Sequence, residues 1–198
     1  MPLLTEEPRA TLPDAPAKQR ILHTADALFY DEGIRTVGVD RLIAASSVTK
    51  ATFYKHYGSK DRVIAAYLSN RHERDVAEFA TLTAASETPV EALHAIRDAI
   101  LAEVSAPGFR GCPFLDAAAE FCDPAHFVRT AVREHREWFA DALEGLTRAL
   151  GHPMPGDSAD DLVLARDGAM SGGYAGDQVA ASTALTRAVD RVIAEAQR

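Results

Sequence analysis

Apolar residues recur every three or four positions along most of the chain, and no stretch alternates as a half-buried strand would. Over residues 17–33, Ile21, Leu22, Ala25, Leu28 and Phe29 share one face, and Gly33 is placed to close the helix. A shorter helix follows with Val39, Leu42 and Ile43 as its apolar side. The turn "SSVT" leads to a very short third helix in which Phe53 and Tyr57 coincide on one side. Ser59 is placed to cap a long fourth helix to about Leu82, with Asp61 in its first turn. Pro89 opens a fifth, striped by Leu93, Ile96, Ile100 and Val104 and broken at 106–111. "CPFLDAAAEFC" reads as a compact sixth. Pro124 starts a long seventh with Phe127, Ala131, Trp138, Phe139 and Leu146 inward. After the loop "GHPMPGDS", two last helices span about 158–175 and 179–197. The expectation is an all-α chain of about nine helices. A three-helix unit over 17–60 would join a larger helical domain over 61–198, behind a loose, proline-containing arm at 1–16.

Composition leaves this picture intact. Hydrophobic residues make up 47% and charged residues 25%, ordinary for a globular protein, and no apolar run is long enough to span a bilayer. No secretory signal is visible, and neither cysteine has a zinc-ligand neighbour. Cys112 and Cys122, ten apart on one expected helix, are too distant for a disulfide. A cytoplasmic protein without metal or cofactor is expected.

Charge does change the picture. The net charge is −8, yet residues 17–60 hold seven Lys or Arg against four Asp or Glu. A small basic module is attached to an acidic body, which points to an anionic partner for one end only.

A helix as short as 49–57 cannot hold itself together in water, so Phe53 and Tyr57 must pin it and its other side must face outward. That outward side is small, hydroxylated and basic, the layout of a helix-turn-helix recognition helix. Thr49 can cap the helix. Ala51 allows close approach to bases, Thr52 can reach a base edge or a phosphate, and Lys55 can donate to guanine. Lys50 adds charge to the same face, while Tyr54 and Lys60 suit phosphates. His56 either touches phosphate or only supports the helix pair. An ordinary solvated lysine face over a three-helix core is the alternative.

"GIRTVGVDRLIAASSVTKATFYKHYGSKD", Gly33 to Asp61, resembles the DNA-binding signature of the TetR family of bacterial transcriptional regulators. The specific match covers roughly residues 17–70. The resemblance implies a homodimer on a palindromic double-stranded DNA operator, usually repressing, and released by an unidentified small molecule bound in the C-terminal domain. "FRGCPFLDAAAEF" and "HREWF" resemble one common subgroup. Two positions depart from the pattern. Ser47 stands where the family usually has Gly, which implies a strained positive φ. Gly38 stands at a usual Ser/Thr cap and removes a hydroxyl that could reach phosphate.

In the C-terminal part, Arg97, Asp116 and His135 fall within apolar stripes and must meet each other or a ligand. Either they pair in the core, or they border a cavity walled by Phe109, Phe114, Phe121, Trp138 and Phe139. On the last two helices, Leu162, Ala165, Ala169 and Gly172 form one stripe, and Leu185, Ala188, Val189, Val192 and Ile193 another. They face their own core or, as the resemblance implies, a second copy in a four-helix bundle.

An enzyme is not expected. "AMSGG" misses G-x-S-x-G at its first position and has no strand before it, and no H-E-x-x-H occurs. A DNA-binding regulator whose C-terminal domain only dimerises or contacts another protein is the rival reading. Activator and repressor stay open.

Overall fold

A computed structural model describes residues 16–198, so the arm expected over 1–16 lies outside the described residues except for Pro16. Among the described residues there are nine α-helices and no strand: α1 Ala17–Glu32, α2 Val39–Ala45, α3 Lys50–His56, α4 Lys60–Ala84, α5 Pro89–Val104, α6 Pro113–Glu120, α7 Phe127–Ala149, α8 Pro155–Ala175 and α9 Gln178–Ala196. The chain divides into two compact units, the first ending at Tyr67 and the second running from Leu68 to Arg198.

In the first unit, α1 stops where Gly33 takes φ +89 and donates its N–H to the Phe29 carbonyl. Ile21, Ala25, Phe29, Ile34, Val37, Leu42, Phe53 and Val63 are buried. Tyr67 closes this core with an edge contact to Phe29 at 5.5 Å between ring centres. Leu22, Leu28 and Ile43, assigned to the same apolar faces, are only half-buried.

The second unit has its core between α5, α7, α8 and α9, built on Leu93, Leu143, Leu162, Leu185, Val189 and Val192. Two helix starts differ from expectation. α7 begins at Phe127, not at Pro124, because the Asp123 carboxylate accepts from Ala125 N–H in a tight turn and the His126 Nδ1 caps Val128 N–H at 3.3 Å. α8 begins earlier than expected, with Pro155 in its first turn, a place where its missing N–H costs nothing. Both cysteines are free: Cys112 is buried just before α6 and Cys122 is exposed after it.

Candidate functional site

α3 has seven residues, too few for autonomous stability, and is held from one side. Phe53 is completely buried and Tyr57 nearly so. The Tyr57 hydroxyl donates to the Lys18 carbonyl on α1 at 3.1 Å, and burial raises the phenol's pKa. At its front end, Thr49 Oγ1 accepts from Thr52 N–H at 3.1 Å and shares a hydroxyl hydrogen bond of 2.8 Å with Thr52.

The turn into α3 explains the Ser47 position. α2 ends with Val48 N–H donating to the Ile43 carbonyl and Ser47 N–H to the Ala44 carbonyl. This closure requires a left-handed residue between them, and Ser47 supplies it at φ +53. A Cβ in that conformation costs about 1–2 kcal/mol relative to glycine. Ser46 steadies the preceding residue by donating its hydroxyl to the Leu42 carbonyl at 2.6 Å.

With Phe53 and Tyr57 inward, Lys50, Ala51, Tyr54, Lys55 and His56 are exposed, together with Thr49, and Thr52 is half-buried at their edge. Ser59 Oγ accepts from Arg62 N–H and so caps α4 as expected. Lys60 is half-buried and its ammonium reaches the Arg35 carbonyl at 3.4 Å. Gly38 precedes α2 without a side-chain cap.

The sequence model of the bacterial regulatory proteins of the tetR family matches residues 21–67. Over nearly the whole chain, SCO4454, a TetR-family transcriptional regulator from Streptomyces coelicolor, superposes with a TM-score of 0.88 at 37% identity, covering 92% of this chain and 96% of that one. The chain belongs to the TetR family. It is therefore a DNA-binding transcriptional regulator with a helix-turn-helix, and the family is not one of enzymes. A TetR-type regulator from Streptomyces avermitilis shares the fold at TM-score 0.81 and 24% identity, over 92% of this chain and 99% of that one. NemR of E. coli, in its reduced form, shares it at 0.75 and 19%, over 89% and 94%. No curated protein sequence matches. Among the described residues no helix is long and apolar enough to cross a membrane.

The second unit of this TetR protein contains a cavity of about 390 Å³. His135, Trp138 and Phe139 line it; Arg97, Phe109, Phe114, Asp116 and Phe121 do not. Phe114 stands directly behind, its ring stacked on His135 at 3.6 Å and 4°. The three polar groups singled out from the sequence are not brought together. Arg97 instead pairs with Asp98 at 2.8 Å and with Asp190 of α9 at 3.5 Å. Asp116 sits against Gly111, with its carboxyl pushed up by burial and drawn back by Arg110. Phe109 packs toward Gly173, and Phe121 stacks on His126 at 4.5 Å.

His135 is 4% exposed and lies 3.2 Å from His72, Nδ1 to Nδ1. Burial, reinforced by the charges of Arg166, His72 and Arg136, lowers its pKa to about 3. The ring is therefore neutral at pH 7. One Nδ1 must donate to the other, and the Asp75 carboxylate, 3.8 Å from His135 Nε2, favours hydrogen on that Nε2. His72 is then the donor.

Much of the cavity wall escaped the sequence reading. α4 contributes Arg71, Asp75, Glu78 and Phe79, α5 contributes Glu103, and α8 contributes Arg166. Arg166 Nη1 lies 3.1 Å from both Cys112 Sγ and Asp167 Oδ1. Burial opposes its charge, but Cys112 and Asp167 outweigh this and raise its pKa. The residues 71, 75, 78 and 82 do recur at helical spacing, which was the available signal.

The expected dimer stripes also need correction. Leu162, Ala169, Leu185, Ala188, Val189, Val192 and Ile193 are buried within their own subunit, and Ala165 packs on the same core. A Cβ on Gly172 would stand 3.4 Å from the Ala181 Cβ, so that glycine serves the α8–α9 approach inside one chain. The stripes are core stripes because α8 and α9 pack on α5 and α7. Leu164 at 65% exposure, Tyr174 at 48% and Val179 at 75% are the large apolar side chains these helices leave outside.

Proposed function

We propose that this TetR protein is a cytoplasmic homodimeric repressor that binds a palindromic operator and is released by a small molecule in the second unit. The observation that carries the reading is the pairing of an outward basic recognition helix with an aromatic-walled cavity in the same chain. Thr49 and Phe53 fix α3 so that Ala51, Thr52 and Lys55 meet base edges in a major groove. Lys50, Tyr54, His56 and Lys60 take phosphates and set the register. The domain assignment follows: residues 17–60 bind DNA, and 61–198 bind effector and partner.

For the dimer, the outward side of α8 is the better surface. Leu164, Gly168, Ser171 and Ala175 share one exposed helix face, small enough for a second copy of α8 to approach closely. A symmetric contact there places the same patch on both subunits.

Two measurements test the reading together. Sedimentation at micromolar concentration should give a dimer, and anisotropy of labelled promoter DNA should fall when a compound that raises the melting temperature is added. A monomer removes the two-half-site model. Compounds that stabilise the protein but leave DNA affinity unchanged support a regulator whose second unit only dimerises or contacts another protein.

A further inference from the structure

The cavity's charged wall is balanced in number but not in engagement. Arg71, Arg74 and Arg166 stand against Asp75, Glu78 and Glu103. The cations are already engaged: Arg166 by Asp167 and Cys112, and Arg71 and Arg74 by other groups. The anions are not. Among the described residues no hydrogen bond or ion pair holds the Glu78 or Glu103 carboxylate; Asp75 lies 3.8 Å from the neutral His135 ring, and Arg166 and Arg71 act on Asp75 and Glu103 only at longer range. The aromatic wall shows the same asymmetry. Arg166 already lies over Phe139 at 5.5 Å, whereas Phe79 and Trp138 meet edge-on at 5.9 Å with no cation over either ring among the described residues.

We propose that this cavity selects a flat aromatic ligand carrying a positively charged nitrogen, with the nitrogen between Asp75 and Glu103 and the ring against Trp138 and Phe79. The proposal rests on the reading of the cavity as an effector site and specifies its chemistry. The cavity carboxylates are partly exposed and no direct ion pair holds them, so a ligand cation can pair with them while gaining the face of a tryptophan. Both carboxyls have pKa values raised chiefly by burial; Arg166 and Arg71 draw both back, while Asp75 adds to the rise at Glu103 and Glu78 to the rise at each. Glu103 is exposed and the Asp75 side chain is 39% exposed, so solvent screens both carboxylates while the cavity holds no ligand. An anionic ligand would face two unpartnered carboxylates with no free guanidinium to receive it. The volume of about 390 Å³ suits a molecule of two or three rings.

Trp138 is the only tryptophan in the chain and lines the cavity, so its fluorescence reports occupancy directly. The full-length protein is titrated with three matched probes: 4-biphenylyl-trimethylammonium, 4-biphenylmethanol and 4-biphenylcarboxylate. The expected result is quenching by the cation at concentrations at least tenfold lower than by the carboxylate. Asp75→Asn and Glu103→Gln should each weaken the cation about tenfold and leave the neutral alcohol unchanged, which also shows that the variants remain folded. Equal or tighter binding of the carboxylate overturns the cation assignment while leaving an effector cavity in place. So does unchanged cation affinity in both variants. No quenching by any probe overturns the effector-site reading as well.

Discussion

Acidification should destabilise the second unit through one ring. His135 titrates at about 3 in the folded protein and near the ordinary histidine value of about 6.5 once unfolded. Because the folded pKa is the lower one, the unfolded chain binds the extra proton first. The stability contributed by neutral His135 is therefore complete above pH 7 and is lost as pH falls from about 6.5 toward 3. At pH 5 the unfolded ring lies about 1.5 pH units below its pKa, which amounts to about 2 kcal/mol relative to pH 7. That is a large share of the ~5–15 kcal/mol that usually holds a domain together. Asp75, Glu103 and Asp116 work with the opposite sign. Their folded pKa values are raised, so they favour the folded state at low pH and lose that contribution as pH rises through those values. A single pH curve mixes the two trends, so the assay compares two proteins. Urea denaturation of the parent and of His135→Gln is run at pH 7 and pH 5. The parent should lose about 2 kcal/mol more than the variant between the two pH values. Equal losses would refute the claim that burial, reinforced by Arg166, His72 and Arg136, holds this imidazole neutral.

Other expectations follow from single contacts. A Cβ at Gly173 would meet Val104 Cγ1 at 2.5 Å, so Gly173→Ala should cost about 1–3 kcal/mol by urea denaturation. Gly145→Ala in α7, with nothing within 4 Å, should gain up to about 1 kcal/mol. Ser47→Gly should raise the midpoint of thermal unfolding by relieving about 1 kcal/mol at φ +53, without changing DNA preference. Phe53→Ala should cost about 3–5 kcal/mol and abolish binding to every DNA sequence, read by calorimetry and anisotropy.

What was legible in the sequence is what short-range rules decide. The inward Phe53 and Tyr57 and the Thr49 and Ser59 caps follow from neighbours within a few residues, and the strained Ser47 from the resemblance to a family that usually has Gly there. Helical period also found the buried faces of α8 and α9 but not what covers them. A stripe such as Leu185, Val189 and Val192 reads the same whether its partner is α5 of one chain or a second copy. Arg97 was misplaced for the same reason, since its answer is Asp190, 93 positions later. The cavity wall on α4 was hidden differently. Arg71, Arg74, Asp75 and Glu78 look like a solvated face, and only the tertiary structure places them beside Trp138. The start of α7 escaped because a histidine supplies the cap in place of the usual Ser, Thr, Asp or Asn.

The most direct test measures which base pairs each exposed side chain of α3 reads. Affinities of the parent, Thr52→Ala, Lys55→Ala and Lys60→Ala are determined across a randomised DNA pool and over a range of salt. Thr52→Ala and Lys55→Ala should each shift preference at particular base pairs by about 1–3 kcal/mol. Lys60→Ala should weaken all sequences alike and lower the salt slope by about 1 per site. Uniform losses from Thr52→Ala and Lys55→Ala, with base preference unchanged, would contradict the recognition face.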